Sequence, residues 1–379
     1  MRHLDLRQAV PYTPGKSLAE DPLTLAITSL GMISSIGHSV VEACAALRAG
    51  IVRPRPLPGC DALDVDLGEL VPVVGHPVAG ITDGFYLSGV WLRLAERAVS
   101  DLLSWGEVPG PEDADFWAGC DVLLVTPCLD PERFPILTDA ETVTAMTSEY
   151  VEGFLELTRL PVASRSIQVL SAGHVGVARA LELAGQRARA GSARRCLVVA
   201  ADSYVDPDAL DWLAWHRRLK VPDRAVGLMP GEAAAAVMVE SQQSVRARKA
   251  KVRAWVDRVS FGAAHDRASS RDGAGLAAAV APLLEPGTGL AADVLCDING
   301  EEWRARGYGN ALVRLGARLG QHALILPAGS LGDTGAASGA IALCAATRAF
   351  ERNYARSDLA LVLSTSENGE SAAIRVRRA

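Results

Sequence analysis

Ser171 opens the stretch Ser171-Ala-Gly-His174, which follows the run Ser166-Ile-Gln-Val-Leu170 and precedes apolar positions at Val175, Val177, Ala178, Leu181, Leu183 and Ala184. The first pattern predicts a short buried strand and the second a helix, so Ser171 stands at a strand-to-helix turn. A side chain there faces exposed backbone N–H groups and the positive end of the helix dipole, where enzymes place nucleophiles and bind anions. Serine is equally favoured at such a turn as an N-cap, and the stretch alone favours the cap. His174, three residues on, shares the helix face and is a candidate base for Ser171. A first-turn side chain points back along its helix, however, and a packed or interface histidine is the commoner case.

The surrounding elements alternate. Leu23 to Leu30 reads as a strand, Ser39 to Ala49 as a helix stopped at Gly50, and Arg53-Pro-Arg-Pro-Leu-Pro-Gly59 as a proline-rich segment. Residues 60–120 mix a Gly/Pro loop with a helix from Gly89 to Leu103; Asp121 to Thr126 is a buried strand, and 127–135 a loop. Arg194 to Asp202 is a further strand, Asp206 to Leu219 a helix carrying Trp212, Trp215 and His216, and Glu240 to Ala250 a charged linker. Strands follow near 252–259, 293–298, 322–326, 359–364 and 372–376 with helices between, a pattern of parallel sheet covered on both faces. The stretch from Gly329 to Ala346 echoes the region of Ser171 as strand, turn and small-residue helix.

Composition bounds the function. The 379 residues are 49% hydrophobic and 22% charged, enough for two core-bearing halves. A formal net charge of −6 argues against a general nucleic-acid or anionic-membrane binder. Seven cysteines without a Cys-x-x-Cys pair suggest neither a disulfide framework nor a zinc site, and fit a reducing cytoplasm. The polar N-terminus lacks the apolar core of a signal peptide, so the expected location is cytoplasmic.

Three stretches, taken with Ser171, resemble the β-ketoacyl-acyl-carrier-protein synthases of the thiolase superfamily. They are Leu25-Ala-Ile-Thr-Ser-Leu-Gly-Met-Ile-Ser-Ser-Ile-Gly-His38, the strand Arg194 to Asp202, and Gly227-Leu-Met-Pro-Gly-Glu-Ala-Ala-Ala-Ala-Val-Met-Val-Glu240. The likeness runs from residue 23 onward. It implies an α/β thiolase fold, two duplicated βαβαβαββ halves in a five-layered αβαβα architecture. The corresponding divisions are an arm at 1–22, an N-terminal half at 23–245 and a C-terminal half at 246–379.

Carried over residue by residue, the family's catalytic positions are all altered. The family places cysteine at the turn, since a thiol near a helix N-terminus ionises readily; this chain has Ser171, whose hydroxyl needs an adjacent base. Aligning Asn-Ala-His-Gly-Thr on the glycine of Leu295-Cys-Asp-Ile-Asn-Gly300 puts Asn299 at the histidine position, whereas a His-Gln-Ala-Asn register puts Cys296 there. Gly332-Asp-Thr-Gly-Ala-Ala-Ser338 resembles Gly-Asn-Thr-Ser-Ala-Ala-Ser, with Asp333 in the asparagine position. An ionised aspartate would repel an enolate; Asp333 is also a good helix N-cap.

These departures lead to the expectation of a ketosynthase-like protein that has lost decarboxylative condensation and acts as a binding or accessory protein. The alternatives are a serine-dependent acyltransferase or hydrolase acting on acyl thioesters through Ser171, and a non-catalytic partner subunit of an active ketosynthase. No cofactor or metal is implied. The expected partners are a second copy of the chain, joined through residues 165–171, and an acyl carrier protein, acyl-CoA or protein client, with no nucleic acid and no membrane. The Pro-Gly-Glu-Ala-Ala and Gly-Asp-Thr-Gly-Ala-Ala-Ser patterns are also similar to those of accessory proteins found beside type VI secretion effectors.

Overall fold

The computed structural model describes residues 24–263, 270–284 and 290–379; the expected arm at 1–22 lies outside them. Twelve strands are described: β1 Leu25–Ser34, β2 Arg55–Asp64, β3 Glu69–Gly75, β4 Cys120–Thr126, β5 Ile167–Ser171, β6 Arg195–Ser203, β7 Glu232–Ser241, β8 Ala254–Ala263, β9 Leu290–Cys296, β10 Leu319–Ile325, β11 Leu359–Thr365 and β12 Glu370–Arg378. The helices are α1 Val40–Arg48, α2 Ser88–Ser104, α3 Ala114–Ala118, α4 Ala140–Thr158, α5 Gly176–Ala190, α6 Pro207–Trp215, α7 Gln242–Arg248, α8 Ala274–Val280, α9 Glu302–Leu315, α10 Ala328–Leu331 and α11 Ser338–Glu351.

Ten strands hydrogen-bond in the order β10-β9-β11-β12-β8-β1-β7-β6-β4-β5. The two sides of this order match each other. In one, β5, β4 and β6 are parallel and β7 and β1 antiparallel; in the other, β10, β9 and β11 are parallel and β12 and β8 antiparallel. The sides join through only three residue pairs, Leu25–Ile27 against Ala254–Val256, so beyond them the two five-stranded sheets diverge.

The gap is filled by α5 and α11, whose Ala178, Leu181, Ala184, Ala340, Ile341 and Cys344 share one apolar core with inward residues of both sheets. Small side chains let the two helices approach closely. A second core packs α2, α3 and α4 on the far face of the first sheet, and a third packs α8 and α9 on the far face of the other. The result is the thiolase architecture of five layers, αβαβα.

Several local expectations change. The first strand runs on to Ser34 through Gly31, because a Cβ there would lie 2.0 Å from the carbonyl oxygen of Ala98 in α2; this glycine permits close packing and does not open a loop. The proline-rich segment continues into the hairpin β2/β3, a separate two-stranded sheet in which Pro54 precedes β2, Pro56 lies opposite Val74 and Pro58 falls in the register break between Pro56 and Asp61. The helix from Pro207 stops at Trp215 and not at Leu219, with Arg217 at φ 53°. A helical turn, α10, precedes Asp333 where a strand was expected. The long α4 was not anticipated, although Asp139 and Thr142 form its capping box.

Candidate functional site

The turn after β5 places the first two candidates on different sides. β5 is an edge strand and includes Ser171 as its last residue. Ser171 is exposed and pairs in parallel register with Thr126 at the end of β4. Its hydroxyl lies 3.0 Å from that of Thr126, the only side chain it hydrogen-bonds among the described residues. Threonine is no base, so the Ser171 hydroxyl is not activated in this arrangement.

Two residues on, Gly173 takes φ 55° and the chain tightens into a 3-10 turn, Gly173–Val175, before α5. That turn directs His174 into the protein, where 3% of its surface is exposed. The second half repeats the device: Gly335, two residues after Asp333, takes φ 51°, and the turn Gly335–Ala337 leads into α11. A Cβ on Gly335 would fall 1.9 Å from Asp202 Oδ2, so glycine is needed for space as well as for conformation.

His174 and Asp333 meet between the halves. His174 Nε2 donates to Asp333 Oδ1 over 3.0 Å, Asn299 Nδ2 donates to Asp333 Oδ2 over 2.6 Å, and the Gly335 N–H donates to Oδ1 over 2.9 Å. Arg304 Nη2 lies 3.4 Å from His174 Nδ1. Burial alone would raise the pKa of Asp333, but the His174 ring, the Arg304 guanidinium and the Asn299 amide hold its carboxyl well below the usual carboxylate range.

This cluster continues as a buried ionic network. Arg304 pairs with Asp297 at 2.7 Å, and Glu301 is gripped by Arg218 through two hydrogen bonds of 2.8 Å. Asn299 Nδ2 also reaches Glu301 Oε2 at 3.1 Å, and Arg218 pairs with Glu367 at 2.7 Å. On the other flank, Arg133 Nη2 binds Asp202 Oδ1 at 2.6 Å, and Asp202 Oδ2 accepts the Ala336 N–H. Of the two registers weighed from sequence, it is Asn299 that reaches Asp333. Cys296 contacts Asp297 instead, and burial raises its thiol.

An open cleft of about 260 Å³ reaches this cluster. Gly173, His174, Tyr204, Ser366 and Glu367 line it; Ser171 does not. Trp212 also lines it, stacked on Tyr204 at 6.5 Å with the Arg218 guanidinium 4.7 Å from its ring centroid. Trp215 stays 86% exposed in an adjoining outer groove. Cys128 is the one cysteine lining the cleft, and burial, reinforced by Glu367, pushes its thiol up to about 11.

His174, Asn299 and Asp333 stand out in the sequence as candidate site residues, whereas Arg304, Arg218, Glu301, Asp202 and Arg133 do not. Asp202 gave a signal: it is a charged residue directly after the apolar run Cys196 to Ala201. The arginines gave none, because an arginine becomes recognisable as buried only once its carboxylates are placed around it. Among the described residues, no group of three or more His, Cys, Asp or Glu side chains is set to hold a metal, and no helix is long and apolar enough to cross a membrane.

The layers, the mirrored strand order and the buried helix pair make up a thiolase-like fold. Solved structures agree. The chain superposes with TM-score 0.74 on the ketosynthase of a type II polyketide system in complex with its acyl-carrier protein and bound to the hexaketide, at 16% identity over 95% of this chain and 100% of that one. It is similar to the ishigamide ketosynthase/chain length factor, with TM-score 0.69 and 17% identity over 94% and 99%. It is also similar to a β-ketoacyl synthase from Burkholderia phymatum STM815, with TM-score 0.67 and 18% identity over 94% and 99%. At these identities the likeness establishes the fold alone. No family model matches the sequence, and no curated protein matches it.

Proposed function

We propose that this chain is a thiolase-fold binding or accessory protein that does not carry out decarboxylative condensation. The observation that carries this reading is that His174 and Asn299 both direct their N–H groups at Asp333. Donors that would have to stabilise a developing oxyanion are committed to an internal carboxylate. Asp333 itself is ionised, and a fixed negative charge disfavours an enolate beside it. Ser171, exposed beside Thr126, has no base in hydrogen-bonding reach among the described residues to make it a nucleophile.

Incubation with acetyl-coenzyme A or p-nitrophenyl acetate, followed by peptide mass spectrometry, tests this reading. The expected result is an unmodified peptide containing Ser171. An acetyl ester on Ser171 would overturn it in favour of serine acyl transfer.

We also infer that the protein is a twofold homodimer joined through β5. This strand is at a sheet edge, its five residues carry no charge or proline, and an unpaired edge of that kind is normally covered.

A further inference from the structure

We propose that the groove between the last turns of α1 and α11 binds a small organic phosphate, at a site separate from the cleft at His174. The groove holds about 530 Å³. Arg48 ends α1, Arg348 lies in the last turn of α11 and Arg352 caps that helix; all three line the groove with Tyr354, and no carboxylate does. α11 starts beside the Asp333 cluster and is 14 residues long. At about 1.5 Å per residue, its far end lies roughly 20 Å from the cluster, so the proposal does not depend on how the cleft is read.

The first observation is charge. The chain has 44 Asp and Glu against 38 Lys and Arg, so carboxylates are in excess for its arginines to pair with. Arg348 does so, with Glu351 at 2.6 Å; Glu351 also takes Arg253, and Arg253 pairs with Glu107 at 3.1 Å, so these four charges cancel. Arg48 and Arg352 are exposed, and among the described residues their guanidinium groups have neither a carboxylate nor a hydrogen-bond partner. The ordinary reason for arginine at a helix end is the dipole, whose C-terminal pole is equivalent to about half a negative charge. Two such ends account for about one of the two uncompensated positive charges, and about one remains.

The second observation is shape. The Arg48 guanidinium lies over the Tyr354 ring, 4.2 Å from its centroid. Such stacking holds the planar fork in place while leaving its N–H groups free to donate, and guanidinium forks match the oxygens of a phosphate in pairs. A phosphate monoester carries about two negative charges at neutral pH and can engage both free guanidinium groups, where a carboxylate carries one. Cys44, Ala45 and Ala49 make the α1 wall apolar. Burial pushes the Cys44 thiol up to about 12, so it serves as wall and not as nucleophile. The groove is much larger than inorganic phosphate, which leaves room for an organic body against that wall.

Isothermal titration calorimetry of the full chain with phenyl phosphate, inorganic phosphate and benzoate tests the proposal. Phenyl phosphate is expected to bind, less tightly with added salt, and to bind more tightly than the other two, which lack the ring or the second charge. The double variant Arg48→Gln/Arg352→Gln, altered only at exposed positions, should weaken it roughly tenfold. Ala45→Glu, which sets a carboxylate on the exposed wall, should weaken it likewise. Asp130→Asn/Glu132→Gln in the cleft should leave it unchanged. No binding of phenyl phosphate, binding no tighter than that of inorganic phosphate, equal binding by the groove variants, or loss of binding in the cleft variant would overturn the proposal. Vesicles of phosphatidylcholine with phosphatidic acid present the same group on a flat surface, and binding to these alone would overturn it in favour of a lipid headgroup. The absence of acyl transfer is decided separately, by the mass measurement on Ser171.

Discussion

Asp333 Oδ1 and His174 Nε2 lie 3.0 Å apart, each side chain 3% exposed, at the point where the turns after β5 and α10 face each other. A buried ion that loses its partners is far more costly than a surface pair, because desolvation is no longer offset. Asp333→Ala should therefore destabilise the protein by about 3–5 kcal/mol in urea unfolding. Asp333→Asn keeps the shape and an acceptor for the Gly335 N–H, and should cost distinctly less. Equal costs for the two would mean that the charge contributes little.

The same residue fixes a pH dependence. Its folded-state pKa is depressed below the unfolded value of about 4. The stabilisation is therefore fully present above that value and is lost as pH falls through the carboxylate range toward the folded pKa. The stability difference between wild type and Asp333→Asn should be flat above about pH 5 and shrink below about pH 4. A difference that grows on acidification would contradict the assignment of an ionised Asp333.

Cys128 lines the cleft, but burial and Glu367 hold its thiol up to about 11. Only a trace of thiolate exists at pH 8, so alkylation by iodoacetamide should be roughly a hundredfold slower than for a free cysteine. Glu367→Gln removes one raising influence and should speed the reaction. Rapid labelling of Cys128 in the wild type would reveal an activated thiol in the cleft.

The two-layered sheet arrangement was legible where residue pattern alone decides the element. The apolar runs of β4, β6 and β7 and the small-residue helix after Ser171 all fall where spacing puts them. The hairpin β2/β3 was not, because its prolines read as loop and the register break in which Pro58 falls is set by pairing with β3. The first strand was read as ending at Leu30 for a related reason: the approach of α2 that demands a missing Cβ at Gly31 is tertiary. At the site, Ser171, His174, Asn299 and Asp333 stood out by type and context. Which of them meet could not be read, since a one-residue extension of β5 sends Ser171 outward to Thr126 and His174 inward to Asp333. Arg304 lies four residues beyond the stretch Leu295 to Gly300, and its role depends on Asp297 and Asp333 from separate elements.

The homodimer has a direct check. Sedimentation at low micromolar concentration should give twice the 39.9 kDa chain mass, and Gln168→Lys, a charge placed in the middle of β5, should shift it to the single-chain value. A monomeric wild type would remove β5 as an interface and leave its edge otherwise explained.

Loss of condensation is tested most directly by carbon dioxide release from malonyl-acyl-carrier protein, compared between the wild type and Ser171→Ala. With His174 and Asn299 both donating to Asp333, the two proteins should release carbon dioxide at the same background rate. Release by the wild type clearly above the Ser171→Ala control would contradict it, and would show that the buried cluster opens to support an enolate.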